Sequence, residues 1–244
     1  MVTGAARGIG AAIALGLALR GAHVVAVDRN DASATLRDIT DAGGQCSSFI
    51  GDVSSEAEVA RLGSEIRADC GGVDILVNHA GINVAASLDE TDFALWRQVL
   101  STNLDSQFLM IKEFASDMIA GGWGRIVNVS SGSIYTTTPG LTAYMASKAG
   151  VLGLTSGLAN DLGTHGITVN AVSPPFVRTQ PVEEAIAAGA FPPDIDVLIA
   201  QTQAIKRPGR PDDLVGTIAF LTSEDGAFVT GKFLVADGGA SRVF

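Results

Sequence analysis

Apolar strand-like runs recur along the chain at 22–27, 46–50, 73–77, 125–129, 167–172 and 232–235, separated by stretches of helical period. Runs such as Val24-Val25-Ala26-Val27 and Ile75-Leu76-Val77 are apolar on both sides of a period-two pattern, as strands covered on both faces by helices must be. This alternation implies βαβ units, a parallel sheet and an α/β, doubly wound fold with its ligand at the carboxyl ends of the strands. The first strand is anomalous. Only Met1 and Val2 precede Thr3, whereas a central strand normally has about five residues, so further residues are expected upstream.

With 47% hydrophobic and 17% charged residues in 244, the chain is long enough for a large core. No linker composition or solenoid repeat divides it, and residues 1–244 read as a single domain. A formal charge of −10 disfavours nucleic acid and anionic membrane, which both demand a basic face, and leaves small molecules as the expected ligands. No apolar stretch reaches the ~20 residues of a membrane span, and no basic-then-apolar leader opens the chain, so a cytoplasmic protein is expected. Cys46 and Cys70 have neither metal nor redox-motif spacing and read as free thiols. His23, His79 and His165 show no metal spacing and read as structural or surface residues, so no metal is expected.

Thr3-Gly4-Ala5-Ala6-Arg7-Gly8-Ile9-Gly10 joins the first strand to a helix. Glycines there permit a tight turn and the close approach of backbone to a pyrophosphate, whose charge the helix amino end then meets. Asp28 ends the second strand, placed to accept hydrogen bonds from adenosine ribose hydroxyls. Its charge repels a 2′-phosphate and favours NAD over NADP; Arg7 and Arg29 cut the other way, since either can reach such a phosphate.

Tyr144 and Lys148 stand four residues apart and share a helix face, with Ser131 thirteen positions upstream. A fixed positive charge beside a phenol favours the phenolate and makes the pair a usable general acid/base. Ser130 competes with Ser131 for the role of partner, and either could merely cap the next element.

Together these residues resemble the short-chain dehydrogenase/reductase family, in its single-domain branch of roughly 250 residues. The motifs stand as Thr3-Gly4-x-x-x-Gly8-Ile9-Gly10, Asp52-Val53, Asn78-His79-Ala80-Gly81, Asn103, Ser131, Tyr144-x-x-x-Lys148, Asn170-Ala171-Val172-Ser173-Pro174 and Asp237-Gly238-Gly239. The resemblance implies a Rossmann-type seven-stranded sheet, usually in a homotetramer, with Asp52 and Val53 near the adenine and Asn78, Ala80 and Gly81 beside the ribose. It implies that Tyr144 exchanges a proton with the substrate oxygen, that Ser131 hydrogen-bonds that oxygen, and that Lys148 lowers the tyrosine pKa and holds the nicotinamide ribose. Asn103 would anchor a water in a proton relay, although a helix-interior asparagine bonded to local backbone is also open. Pro174, Val177 and Thr179 would contact the nicotinamide, and Ser133 and Tyr135 the substrate.

Two departures stand out: His79 replaces an asparagine, and Pro175 replaces a glycine that normally follows Pro174. Pro175 removes a donor and restricts Pro174 to extended conformations. Residues 179–210, punctuated by Pro181, Pro192 and Pro193, read as a substrate lid or as two surface helices. Ile186, Phe191, Ile195, Val197, Leu198 and Ile199 make that segment apolar. An uncharged aromatic or alicyclic secondary alcohol or ketone is the expected substrate, with a 3-oxoacyl-thioester reductase or a polyol dehydrogenase as alternatives. Gly122 and His165 stand where carrier-protein reductases of the family tend to carry arginines, which argues against an acyl-carrier partner. The order Pro175-Phe176-Val177-Arg178-Thr179 and the tail Ser241-Arg242-Val243-Phe244 are similar to NAD-dependent aryl-alcohol and pyridoxal dehydrogenases of the family. A non-catalytic NAD-binding sensor would be expected to lose Tyr144 or Lys148, and NAD-dependent lyases and epimerases are usually longer.

Overall fold

The structure, a computed structural model, describes residues 1–135, 139–189 and 191–241, with the backbone alone at Pro181. The side chain of Pro181 and the tail residues Arg242, Val243 and Phe244 lie outside the described residues. Seven parallel strands, β1 (Val2–Thr3), β2 (His23–Asp28), β3 (Gln45–Ile50), β4 (Ile75–Asn78), β5 (Gly124–Val129), β6 (Ile167–Ser173) and β7 (Phe233–Val235), lie in the order β3-β2-β1-β4-β5-β6-β7. This is the doubly wound Rossmann sheet expected from the sequence. Six strands fall within two residues of the apolar runs at each end.

The first strand, β1, pairs Val2 with Ala26 on one side and with Val77 on the other. The Met1 backbone extends that seam: its amine donates to the Ile75 carbonyl at 2.6 Å, and its carbonyl accepts from Val77 N at 2.9 Å. β1 and β4 diverge into opposite halves of the sheet, which opens a crevice at their carboxyl ends.

Helices cover both faces: α1 (Gly8–Ala18), α2 (Ser33–Asp41), α3 (Glu56–Cys70), α4 (Phe93–Leu100), α5 (Ser106–Gly121), α6 (Thr142–Gly163), α7 (Gln180–Ala187), α8 (Ile195–Thr202) and α9 (Val215–Leu221). Alternate strand residues enter different cores. Val25 and Val27 join Leu62, Ile66, Met110 and Phe114 on one side; Val24 and Ala26 join Ile13, Ala14, Ile39 and Ile218 on the other. α3 shows how local chemistry bounds an element: the Ser55 hydroxyl accepts from Glu58 N, Glu56 and Glu58 sit in the first turn, and Gly71 closes it at φ +80°. Among the described residues no helix is long and apolar enough to cross a membrane.

Phe114, fully buried on α5, lies at the centre of the first core, with the Arg67 guanidinium 5.4 Å from its ring centre. Phe114→Ala is expected to lower the unfolding free energy by about 3–5 kcal/mol. In urea denaturation this appears as a lower midpoint with an unchanged slope.

Candidate active site

The turn from β1 into α1 is built for backbone approach. Gly4 takes φ +69°, and a Cβ on Gly10 would run into the Gly4 carbonyl and the His79 ring. Arg7, at the head of α1, provides no side-chain cap, and the first turn has no acidic residue. The leading N–H groups of α1 therefore face the crevice without a side-chain acceptor, a fit for a pyrophosphate. Asp28 closes the turn from the other side: Oδ2 accepts from Ala6 N at 3.0 Å, and Oδ1 accepts from Asn30 N at 2.9 Å and Asn30 Nδ2 at 3.1 Å.

The crevice is a cleft of about 690 Å³. Of the residues nominated for cofactor binding, Gly4, Arg7, Gly8, Ile9, Asp28, Asp52, Val53, Ala80, Gly81 and Thr179 line it. Gly10, Asn78, Tyr144, Lys148, Pro174 and Val177 do not. Gly10 lies inside the turn, and the Asn78 side chain turns into the sheet, where Nδ2 donates to Asn128 Oδ1 at 3.0 Å. Asn128 in turn donates to Thr155 Oγ1 at 3.0 Å, so the two asparagines link β4, β5 and α6. The Pro174 carbonyl accepts from Gly132 N at 2.9 Å, and Val177 is buried in a bridge with Gly209.

Beside the cleft, β5 and α6 bring the polar cluster together. The two serines separate cleanly: Ser130 Oγ donates to the Lys148 carbonyl at 2.8 Å, whereas the Ser131 hydroxyl stands by the Tyr144 phenol, whose pKa it lowers, and accepts from Ser133 N at 3.2 Å. Lys148 is buried; its Nζ donates to the Val129 carbonyl at 3.0 Å and lies 5.9 Å from the Tyr144 ring centre. The five residues Ser101–Asp105 form a π turn between α4 and α5, which aims Asn103 across to the 81–82 loop. Asn103 Oδ1 accepts from Ile82 N at 2.8 Å, and its Nδ2 donates to Ile82 O at 2.9 Å and Ser147 Oγ at 3.0 Å. The asparagine is thus bonded to a distant loop and to α6, not to its own helix. A Cβ on Gly81 would stand 3.0 Å from Asn103 Oδ1 and 3.3 Å from Lys148 Nζ, so the loop packs directly on both.

Burial dominates the electrostatics. It raises the Tyr144 phenol above its ordinary value, partly offset by the Ser131 hydroxyl, and lowers Lys148 from 10.5 to about 8. The expected downward pull of Lys148 on Tyr144 is not part of that balance: the ammonium is bonded to Val129 O, and its own charged form is disfavoured. Tyr135 closes the short helical turn Gly132–Tyr135 and, like Ser133, does not line the cleft.

His79, expected to be structural or at the surface, is a cleft residue. Its Nδ1 is buried against the glycine turn, 2.9 Å from a Cβ built on Gly4 and 2.8 Å from one on Gly10. Burial, then Lys148, lowers its pKa from 6.5 to about 4, against the Thr3 and Gly4 backbone and Asp28. The departure from asparagine in the Asn78-His79-Ala80-Gly81 motif was the available signal.

Residues 179–210 form α7 and α8, with Thr179 packed over Gly8 and Val182, Ala185 and Phe191 in the cleft wall. Val197 and Leu198 instead face outward, 50% and 44% exposed. Arg178 ties the segment together: it donates to Glu183 Oε1 at 2.8 Å, Glu183 Oε2 at 3.2 Å, the Pro193 carbonyl at 3.1 Å and Asp196 Oδ1 at 3.2 Å. Phe176 meets Phe191 edge to face at 5.9 Å. At the far end Gln203 Nε2 donates to the Asp237 carbonyl at 3.0 Å, and the Asp237 carboxylate collects the N–H groups of Gly239, Ala240 and Ser241.

Because the folded chain refuses a proton at His79 until about pH 4, while an unfolded histidine takes one near pH ~6.5, stability held above that upper value is lost as pH falls through the window. The loss amounts to about 3–4 kcal/mol at most. His79→Asn is expected to remove this component. Urea denaturation of both proteins at pH 6.5 and 4.5 measures it as the difference between their acid losses.

A family model described as enoyl-(acyl carrier protein) reductase matches residues 4–241. Among curated relatives, a cis-4-hydroxycyclohexanecarboxylate dehydrogenase from Sinomonas cyclohexanicum is 40% identical, covering 100% of this chain and 96% of its own. A gluconate 5-dehydrogenase from Gluconobacter oxydans is 37% identical over 98% of this chain and 93% of its own. Among solved structures, an actinorhodin polyketide ketoreductase with NADPH superposes with a TM-score of 0.93 at 32% identity, covering 99% and 96% of the two chains. The chain belongs to the short-chain dehydrogenase/reductase family, oxidoreductases that use a nicotinamide cofactor on alcohol or ketone groups.

Proposed function

We propose that the protein is an NAD(H)-dependent dehydrogenase that interconverts a secondary alcohol and its ketone, on an uncharged substrate of aromatic or alicyclic type. The observation that carries this reading is the convergence of Ser131, Tyr144 and a buried Lys148, whose Nζ lies 5.9 Å from the Tyr144 ring centre and 3.0 Å from Val129 O, beside the cleft. Ser131 and Tyr144 would hold the substrate oxygen between them, and the bound nicotinamide would supply or accept the hydride.

Tyr144 stays protonated at neutral pH and would donate its proton to the carbonyl oxygen as that oxygen gains charge. Ser131 would stabilise the same charge. Lys148, cationic below about pH 8, would favour the phenolate left behind. Oxidation runs the sequence backwards and starts from the phenolate, so it gains from alkaline pH. Asn103 acts by holding the 81–82 loop against Lys148; its amide donates to Ile82 O in that loop and to Ser147 Oγ on α6, which favours positioning over the anchoring of a water by the side chain.

NAD is favoured by the Asp28 carboxylate, fixed in the cleft wall by Ala6 and Asn30. Thr179 at the head of α7 lies at the nicotinamide end of this reading, with residues 179–210 as its lid. Val182, Ala185 and Phe191 on that lid support an apolar substrate. The compound for which one relative is named, cis-4-hydroxycyclohexanecarboxylate, bears its hydroxyl on a ring, in keeping with an alicyclic substrate, although it also bears a carboxylate. The reading extends to a cytoplasmic homotetramer: Phe108, 45% exposed, and Leu104, Leu109 and Leu154 line a groove of about 480 Å³ between α5 and α6, suited to self-association.

A screen at mildly alkaline pH, following reduced cofactor by absorbance, tests the assignment with NAD and NADP against apolar secondary alcohols, polyols and β-hydroxyacyl thioesters. Turnover of the apolar alcohols with NAD is the expected result; turnover confined to polyols or thioesters would move the substrate to that class. Tyr144→Phe is expected to lower kcat by about 10²–10⁴-fold with NAD affinity within several-fold of wild type. Residual activity above about a tenth would remove Tyr144 from the proton path. Asp28→Asn keeps an acceptor for Ala6 N while deleting the charge, and should raise kcat/KM for NADP relative to NAD; an unchanged ratio would place the determinant elsewhere.

A further inference from the structure

Arg7 and Arg29 both line the dinucleotide cleft. Arg29 follows Asp28 in the chain, and Arg7 follows Ala6, whose N–H is bonded to Asp28 Oδ2 at 3.0 Å. Both cations are therefore within side-chain reach of the group on the 2′ oxygen of an adenosine ribose held at Asp28. Arg7 is already engaged. Its Nη1 donates to Glu184 Oε1 at 3.4 Å, from the glycine turn to lid helix α7. Gln180 Nε2 donates to the same carboxylate oxygen at 3.1 Å, and the neighbouring Glu183 is clamped by Arg178 at 2.8 Å and 3.2 Å, which together fix where Glu184 stands.

Resting on the NAD reading of the cleft, we propose that Glu184 is a cofactor-selectivity residue acting through Arg7, drawing that guanidinium away from the position where it would meet a 2′-phosphate. Arg7 and Glu184 are 46% and 57% exposed, so the pair is weak and open to exchange. A phosphate is the stronger partner for a guanidinium, yet to reach Arg7 it must displace Glu184 and approach the Asp28 carboxylate as well. A 2′-hydroxyl meets neither obstacle. Selectivity then arises from a penalty placed on the competing ligand, contributed by an element outside the glycine turn and the second strand.

Calorimetric titration of 5′-AMP and adenosine 2′,5′-bisphosphate into wild type, Glu184→Gln, Arg7→Ala and the double variant tests this. Glu184→Gln is expected to tighten the bisphosphate by up to about five-fold, the range of an exposed ion pair, with AMP reporting the rest of the cleft in parallel. In the Arg7→Ala background the Glu184 substitution should have no effect on the bisphosphate. No tightening, equal tightening of both nucleotides, or tightening that survives the loss of Arg7 would overturn the proposal. The NAD assignment is read separately, from the wild-type preference between the two nucleotides, whereas Glu184 is read from the variant-to-wild-type ratio. A wild type that binds neither nucleotide overturns both.

Discussion

The seam between β1 and β4 is the constraint on which the site depends. Val2 of β1 pairs with Ala26 on one side and with Val77 of β4 on the other, where the halves of the sheet diverge. The Thr3 hydroxyl completes the join by accepting from His79 N and Ala80 N, each at 3.0 Å. One oxygen thereby sets the glycine turn, which starts at Thr3, against the 79–81 loop, which ends on Asn103 and Lys148. Without it, two N–H groups at the floor of the cleft would lose their acceptor, a desolvation cost that falls on the crevice itself.

The polar cluster beside the cleft shows how burial shapes a proton-transfer site. The fold resists charge on Tyr144 and on Lys148 alike. Lys148 is nevertheless kept in place by the Val129 carbonyl, and the carbonyl of its own residue is tied to Ser130. Strand β5 thus holds the lysine at two points, through successive residues at the strand's end. The Ser131 hydroxyl beside the phenol offsets part of the effect of burial, and that same hydroxyl is aimed by the Ser133 backbone.

The strands were legible because their period-two apolar runs answer to the same burial that forms the sheet, as Val24 to Val27 illustrate by dividing between two cores. The glycine turn and the Tyr144–Lys148 pair were legible because backbone approach and helical spacing restrict residue choice at short range. What escaped depends on long-range direction. Asn78 lies next to cleft residues in the chain, yet its side chain faces Asn128 on the neighbouring strand. His79 points the other way, into the glycine turn, and nothing in the local pattern distinguishes the two. Asn170 likewise reads as part of a functional motif while its amide fastens β6 to the chain ahead of β7, through Val229 O and Lys232 N. The apolar residues of the 179–210 segment could be recognised as a group, but only packing decides that Phe191 turns inward and Leu198 outward.

The π turn at Ser101–Asp105 gives the site a sensitivity to length that differs from its sensitivity to residue type. It inserts extra backbone between α4 and α5 without breaking either helix, and Asn103 projects toward Ile82 because of that surplus. One residue removed from the turn would let the two helices merge into a regular helix and swing the following positions by about 100°. Natural variation in this stretch should therefore proceed by exchange of side chains at constant spacing, and a shortened relative would have to rebuild the loop that rests on Lys148 by other means.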